Sequence, residues 1–188
     1  MKRIVSTVLC AVMLFVLTAC GASAPSDADA APASALELLE TVWNSYSDDE
    51  KFPAAGGDYS EENMRDGGPG NFSITDAEVL DSALGFPMAE AGKIDGAASL
   101  VHMMNLNTFT CGAFHAKESG DVTALCAAVR ENILARRWMC GFPEKLVIVT
   151  VGDYIVSVFG HADPVDTFTA KLAAAYPNAK TVSDDPIV

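Results

Sequence analysis

Apolar residues are spread along this chain in three ways. Residues 4–17 form one apolar run, interrupted only by Ser6 and Thr7. From Ser34 to Tyr176 apolar positions mostly recur at helix or strand spacing, whereas residues 21–33 and 48–71 carry no period. The periodic part begins with a capping box, Ser34 at the N-cap and Glu37 three residues on. Leu36, Leu39, Val42, Trp43 and Tyr46 then give a helix a face to bury. Thr75 with Glu78 makes a second box, opening a short helix through Val79, Leu80 and Leu84 that Gly85 stops. Residues 99–106 and 108–116 read as strands joined by a tight turn at 105–107. Residues 120–138 read as a helix capped by Ser119, with Val122, Leu125, Cys126, Val129, Ile133 and Leu134 as its apolar stripe. Residues 145–151 and 154–159 form a hairpin across Gly152-Asp153, a turn suited to type II′. Asp163 as N-cap and Pro164 at N1 open a last helix to about Tyr176.

The order strand–strand–helix therefore occurs twice. Two such units pair into one four-stranded, mainly antiparallel sheet with helices on one face, an α+β fold over 73–177 preceded by N-terminal helices. In the second hairpin Val147, Val149, Val151, Tyr154, Val156 and Val158 share the core face. The opposite face carries Leu146, Ile148, Thr150, Ile155, Ser157 and Phe159, too apolar to lie bare in water. The 34–47 helix, the 48–71 loop or a protein partner has to cover it, and a partner would meet Ile148, Ile155 and Phe159.

The N-terminus adds a location. Lys2 and Arg3 precede the apolar run and Leu17-Thr18-Ala19-Cys20 closes it, the layout of a secretory signal and too short to span a membrane. Those last four residues resemble a bacterial lipobox, which implies a diacylglyceryl thioether on Cys20. At about 0.8 kcal/mol per buried methylene, two acyl chains anchor a protein stably where one does not. The expected division is a signal over 1–19, a flexible tether over 20–33, and a helix with a Gly-rich loop over 34–72. The α+β domain over 73–177 and a tail over 178–188 follow. The expected place is the extracytoplasmic face of the cell membrane.

Charge narrows the partners. The formal charge is −13, and losing Lys2 and Arg3 with the signal leaves −15. Phosphate contacts need clustered Lys and Arg, so nucleic acid is not an expected partner, and the lipid is the expected membrane contact. Of five cysteines, Cys10 leaves with the signal and Cys20 is lipidated. Cys126 and Cys140, near the middle and end of one expected helix, would stand on the order of 20 Å apart, so buried free thiols are expected.

Candidate chemistry is sparse. His102, His115 and His161 are the only histidines. His115 and His161 each fall where a strand ends and a helix is about to begin, so with Cys111 or Asp163 they form a possible zinc set without the close spacing of a metal motif. No Gly-x-Ser-x-Gly elbow occurs, Ser157 is mid-strand, and Cys111 lies within a strand with no acidifying neighbour. Met103 and Met104 could make an adaptable surface, but strand alternation points them to opposite faces and one into the core.

Met103-Met104-Asn105-Leu106, then Ala113-Phe114-His115-Ala116-Lys117, a long helix, residues 145–151 and a second strand and helix resemble a family of small lipoproteins from Gram-positive, clostridial-type bacteria. These carry a domain of unknown function. The resemblance covers about 73–177 and implies the fold order and the anchored location, with no catalytic residues to carry over. Cys111, Cys140 and the Gly-rich 56–70 loop depart from its usual pattern. The expectation is a lipid-anchored binding or scaffolding protein that does no chemistry and needs no cofactor. The alternative is a metal-binding protein or metal-dependent hydrolase using His115 and His161.

Overall fold

The computed structural model describes residues 31–139 and 141–187. The expected signal, Cys20, most of the tether and Cys140 lie outside the described residues. The first helix, α1 (Ala35–Asn44), starts as its sequence predicts, with the Ser34 hydroxyl accepting the Glu37 amide at 3.0 Å. Three short strands follow, β1 (Ala54–Gly56), β2 (Arg65–Asp66) and β3 (Gly70–Asn71). Helix α2 (Ala77–Leu84) is capped by Asp76 rather than Thr75, because the Asp76 carboxylate accepts the Glu78 and Val79 amides. Strands β4 (Ile94–His102) and β5 (Phe109–Ala116) precede α3 (Val122–Leu134), which ends before Trp138. The hairpin of β6 (Lys145–Val151) and β7 (Tyr154–Gly160) leads to α4 (Ala162–Ala175) and a last strand, β8 (Lys180–Pro186). Helix α4 starts before Asp163, and the Glu144 carboxylate accepts its Ala162 amide at 2.7 Å.

The sheet has eight antiparallel strands, not four. Its order is β2-β1-β4-β5-β7-β6-β8, with β3 also on β4. The four expected strands are its centre. The additions come from segments without strand periodicity. The 48–71 stretch folds back so that β1 pairs with Val101 and His102 while β3 pairs with Ala98 and Ser99. Glycine permits this, since a Cβ on Gly56 would stand 2.3 Å from the Gly70 amide. The expected tail becomes β8, a polar edge strand pinned by Arg130 to Asp185 (Nε to Oδ2, 2.7 Å) and by Lys145 to Asp184. Asp184, Asp185 and Pro186 suit an edge that must not recruit further strands.

Helices cover both faces, which corrects the one-faced layer. Helices α1 and α4 seal a core with Val147, Val149, Val151, Tyr154, Val156, Val158, Phe109 and Cys111. Helices α2 and α3 seal the second, with Phe86, Phe114, Leu146, Ile148, Ile155 and Phe159. The reason lies in the strand order. Strand β5 runs parallel to β6 with β7 between them, and β7 runs parallel to β8 with β6 between them, so α3 and α4 are crossovers in the same lateral direction. They leave strands of opposite sense, and crossovers of one hand must then lie on opposite faces.

The face reserved for a partner is therefore interior. Ile148 and Ile155 are fully buried and Phe159 is 2% exposed, its ring 5.3 Å from that of Trp138. Phe159→Ala should cost about 3–4 kcal/mol of unfolding free energy in urea titration. A change within about 0.5 kcal/mol, as at an open surface, would show that α3 does not cover this face.

Candidate functional site

Strand β4 ends at His102 because that side chain caps the turn after it. His102 Nδ1 accepts the Met104 and Asn105 amides, both at 3.3 Å, and the ring stacks on Phe52. The Asn105 side-chain oxygen accepts the Asn107 amide, and Asn107 Nδ2 donates to the Met139 and Gly141 carbonyls. Residues 103–108 are thus a turn, not strand. Met103 and Met104 both face solvent, 54% and 75% exposed, instead of one entering the core. Leu106, Met139 and Phe142 are also exposed around this turn.

Beside it lies a cavity of about 350 Å³. Ser99 and Val101 of β4 form its floor, Phe72, Ala83 and Leu84 one wall, and residues 55–59 with Met64 the other. Met103 and Leu106 close the end. The floor's hydroxyl is spent inside the protein: Ser99 Oγ accepts the Gly57 amide at 2.9 Å and donates to the Gly57 carbonyl at 3.1 Å. Asp58 holds the outer wall. One carboxylate oxygen accepts the Ser60 amide and hydroxyl, the other Asn63 Nδ2 at 2.8 Å and the Ser73 amide at 2.9 Å. Burial pushes the Asp58 carboxyl up, but donors from Ser60, Asn63 and Ser73 outweigh it and bring it down to about 2. With these polar atoms satisfied internally, the cavity presents mainly carbon and sulfur to a ligand.

A second, more open cavity of about 500 Å³ lies across the sheet edge on the α1 side, lined by Trp43, Lys51, Phe52, Pro53, Ala54 and Gly67. Met103 and Asp66 line both. Tyr59, Met64 and Asp66 were invisible as site residues because no sequence period marks their loop. The adjacent Met103 and Met104 were the one legible signal.

The other expected site residues do not converge. His115 pairs with Tyr154 and Phe109 with Gly160, so His115 and His161 sit at opposite ends of the β5–β7 ladder, about 20 Å apart at strand rise. Neighbouring antiparallel strands end at opposite edges, which defeats the shared strand-end argument. His115 Nδ1 instead meets Asp95 Oδ1 at 2.5 Å, its ring against Tyr154. Among the described residues no group of three or more His, Cys, Asp or Glu is arranged to hold a metal ion. Cys111 and Cys126 are buried free thiols in cores on opposite faces. Burial pushes the Cys111 thiol well up and that of Cys126 to about 11, which keeps both protonated and unreactive at neutral pH.

Asp58→Asn turns part of an acceptor set toward donors and should cost about 2 kcal/mol at neutral pH. A carboxyl lowered on folding stabilises above its ordinary value and loses that contribution as pH falls through its folded value. The gap between the variant and the native protein should therefore narrow from about pH 4 toward about pH 2 in urea unfolding. A gap constant over that range would show that the Asp58 charge does not hold the wall.

Compared with protein-family models, curated proteins and solved structures, the chain matches none.

Proposed function

We propose that this chain is an extracytoplasmic binding protein, lipid-anchored as its resemblance to small clostridial-type lipoproteins implies, whose ligand enters the cavity at the β4–β5 turn. The observation that carries the reading is the solvent-facing Met103 and Met104 beside a mainly apolar cavity whose Ser99 and Asp58 are satisfied internally. Burying such side chains is favourable by roughly 25 cal/mol per Å², and flexible thioethers adapt to varied shapes. The lipobox ending at Cys20 supports the anchored location, and residues 20–33, ahead of the helix that Ser34 caps, are the proposed spacer between anchor and domain.

Two measurements test it. Cys20→Ser should send the protein from the membrane fraction into the medium or leave an unprocessed precursor; unchanged processing with membrane retention would remove the anchor. The secreted form should enhance the fluorescence of a neutral apolar dye, N-phenyl-naphthylamine, saturably, and Met103→Asp should weaken that binding by about tenfold. Dye fluorescence that does not saturate, or that Met103→Asp leaves unchanged, would show that the cavity is not a binding site.

A further inference from the structure

We infer that the two cavities act together as a docking site for an extended peptide segment of a partner protein, one that carries a Lys or Arg beside bulky apolar side chains. This rests on the binding reading above and specifies its ligand. The strand order ends at β2, so among the described residues nothing pairs with the outer backbone edge of Arg65 and Asp66. The two cavities open on opposite faces beside that edge, one under α2 and one beside α1. A strand laid along a sheet edge points successive side chains to opposite faces. Apolar pockets on both sides of an exposed edge therefore match an extended peptide, with backbone pairing setting register and the pockets selecting side chains. A compact ligand would fill one cavity and ignore the other.

Charge identifies the rest of the segment. Asp66 lines both cavities, so an acidic residue stands where the two apolar sites meet. Its neighbour Arg65 forms no ion pair with it; Arg65 Nη1 donates instead to the Glu62 and Met64 carbonyls. Glu61 and Glu62 are exposed on the same loop. The one cation lining either cavity, Lys51, stands over the Trp43 ring at 5.8 Å, on the α1 side. An anionic headgroup or an acidic peptide meets repulsion here, whereas a basic side chain flanked by apolar ones finds both charge and surface.

The test is a fluorescence-anisotropy titration of the full chain held in phosphatidylcholine nanodiscs, with empty nanodiscs as blank. The probe is a short labelled peptide with Leu-Leu-Lys-Leu-Leu at its centre; the comparisons replace its Lys by Glu, or its four Leu by Ser. The Lys peptide should bind at least about tenfold more tightly than the Ser-flanked one. It should bind about threefold or more tightly than the Glu peptide, a preference that salt suppresses and Asp66→Asn removes. Met103→Ala should weaken both Leu-containing peptides. Both replaced residues are exposed, so the variants keep the fold. Equal binding of the Lys and Glu peptides overturns the charge assignment. Failure of all three peptides while the secreted form binds the neutral dye overturns peptide docking and leaves the apolar site standing. Failure of peptides and dye alike removes both.

Discussion

The central strands carry apolar side chains on both sides, and a sheet of that kind is stable only if both faces are withdrawn from water. The chain meets this constraint through connection geometry. Helices α3 and α4 step over one strand in the same direction but leave strands of opposite sense, so a single handedness places one on each face. Helices α1 and α2, which precede the central strands, complete the two layers. The antiparallel β5–β7 pair at the middle links the two cores, with Val156 and Val158 turned to one and Ile155 and Phe159 to the other.

Covering both faces uses the four α-helices of the described residues and leaves the β1–β2 end of the sheet without one of its own. There the chain builds walls from a loop. Asp58, Ser60, Asn63 and Ser73 tie that loop to itself, and Ser99 ties it to the sheet. The result is a hydrogen-bonded polar scaffold around a mainly apolar cavity, with methionines at its mouth. Preorganisation by part-buried hydrogen bonds and adaptability from thioethers are complementary in a recognition site, because the first limits the ordering cost of binding and the second tolerates variation in the ligand. At the opposite edge β8 is protected by Arg130, Lys145 and its own Asp184, Asp185 and Pro186. The two ends of the sheet thus differ: one is latched by ion pairs and the other is flanked by cavities.

The histidines show how sequence proximity to strand ends can mislead. His102 serves as a turn cap, His115 joins Asp95, and His161 precedes α4 at the far end of the ladder. His102 and His115 are thus used locally. An antiparallel neighbour inverts the chain direction, and residues with equivalent positions in two such strands are carried apart by the full strand length.

Local signals in the sequence determined β5, β6 and β7, the capped start of α1 and the shared face of Val147, Val149, Val151, Tyr154, Val156 and Val158, since side-chain period and capping act within a few residues; β4 was legible only in part, running over Ile94–His102 where 99–106 was expected. The caps of α2 and α4 were displaced by a residue or more because Asp76 and Glu144 supply acceptors that Thr75 and Asp163 were expected to give. Strands β1, β2, β3 and β8 had no readable period. They exist because their partners hold them, through close glycine backbones in one case and ion pairs in the other. The apolarity of the second sheet face was plain in the sequence, but its cover was not, because the choice between a helix and a partner depends on strand order. The cavity was equally a tertiary product: Met103 and Met104 face solvent because His102 ends the strand before them, and the loop meets the sheet beside them across 42 residues of chain, where Gly57 bonds to Ser99. Period and capping are short-range properties, whereas strand order and the meeting of distant loops are decided only when the whole chain closes on itself.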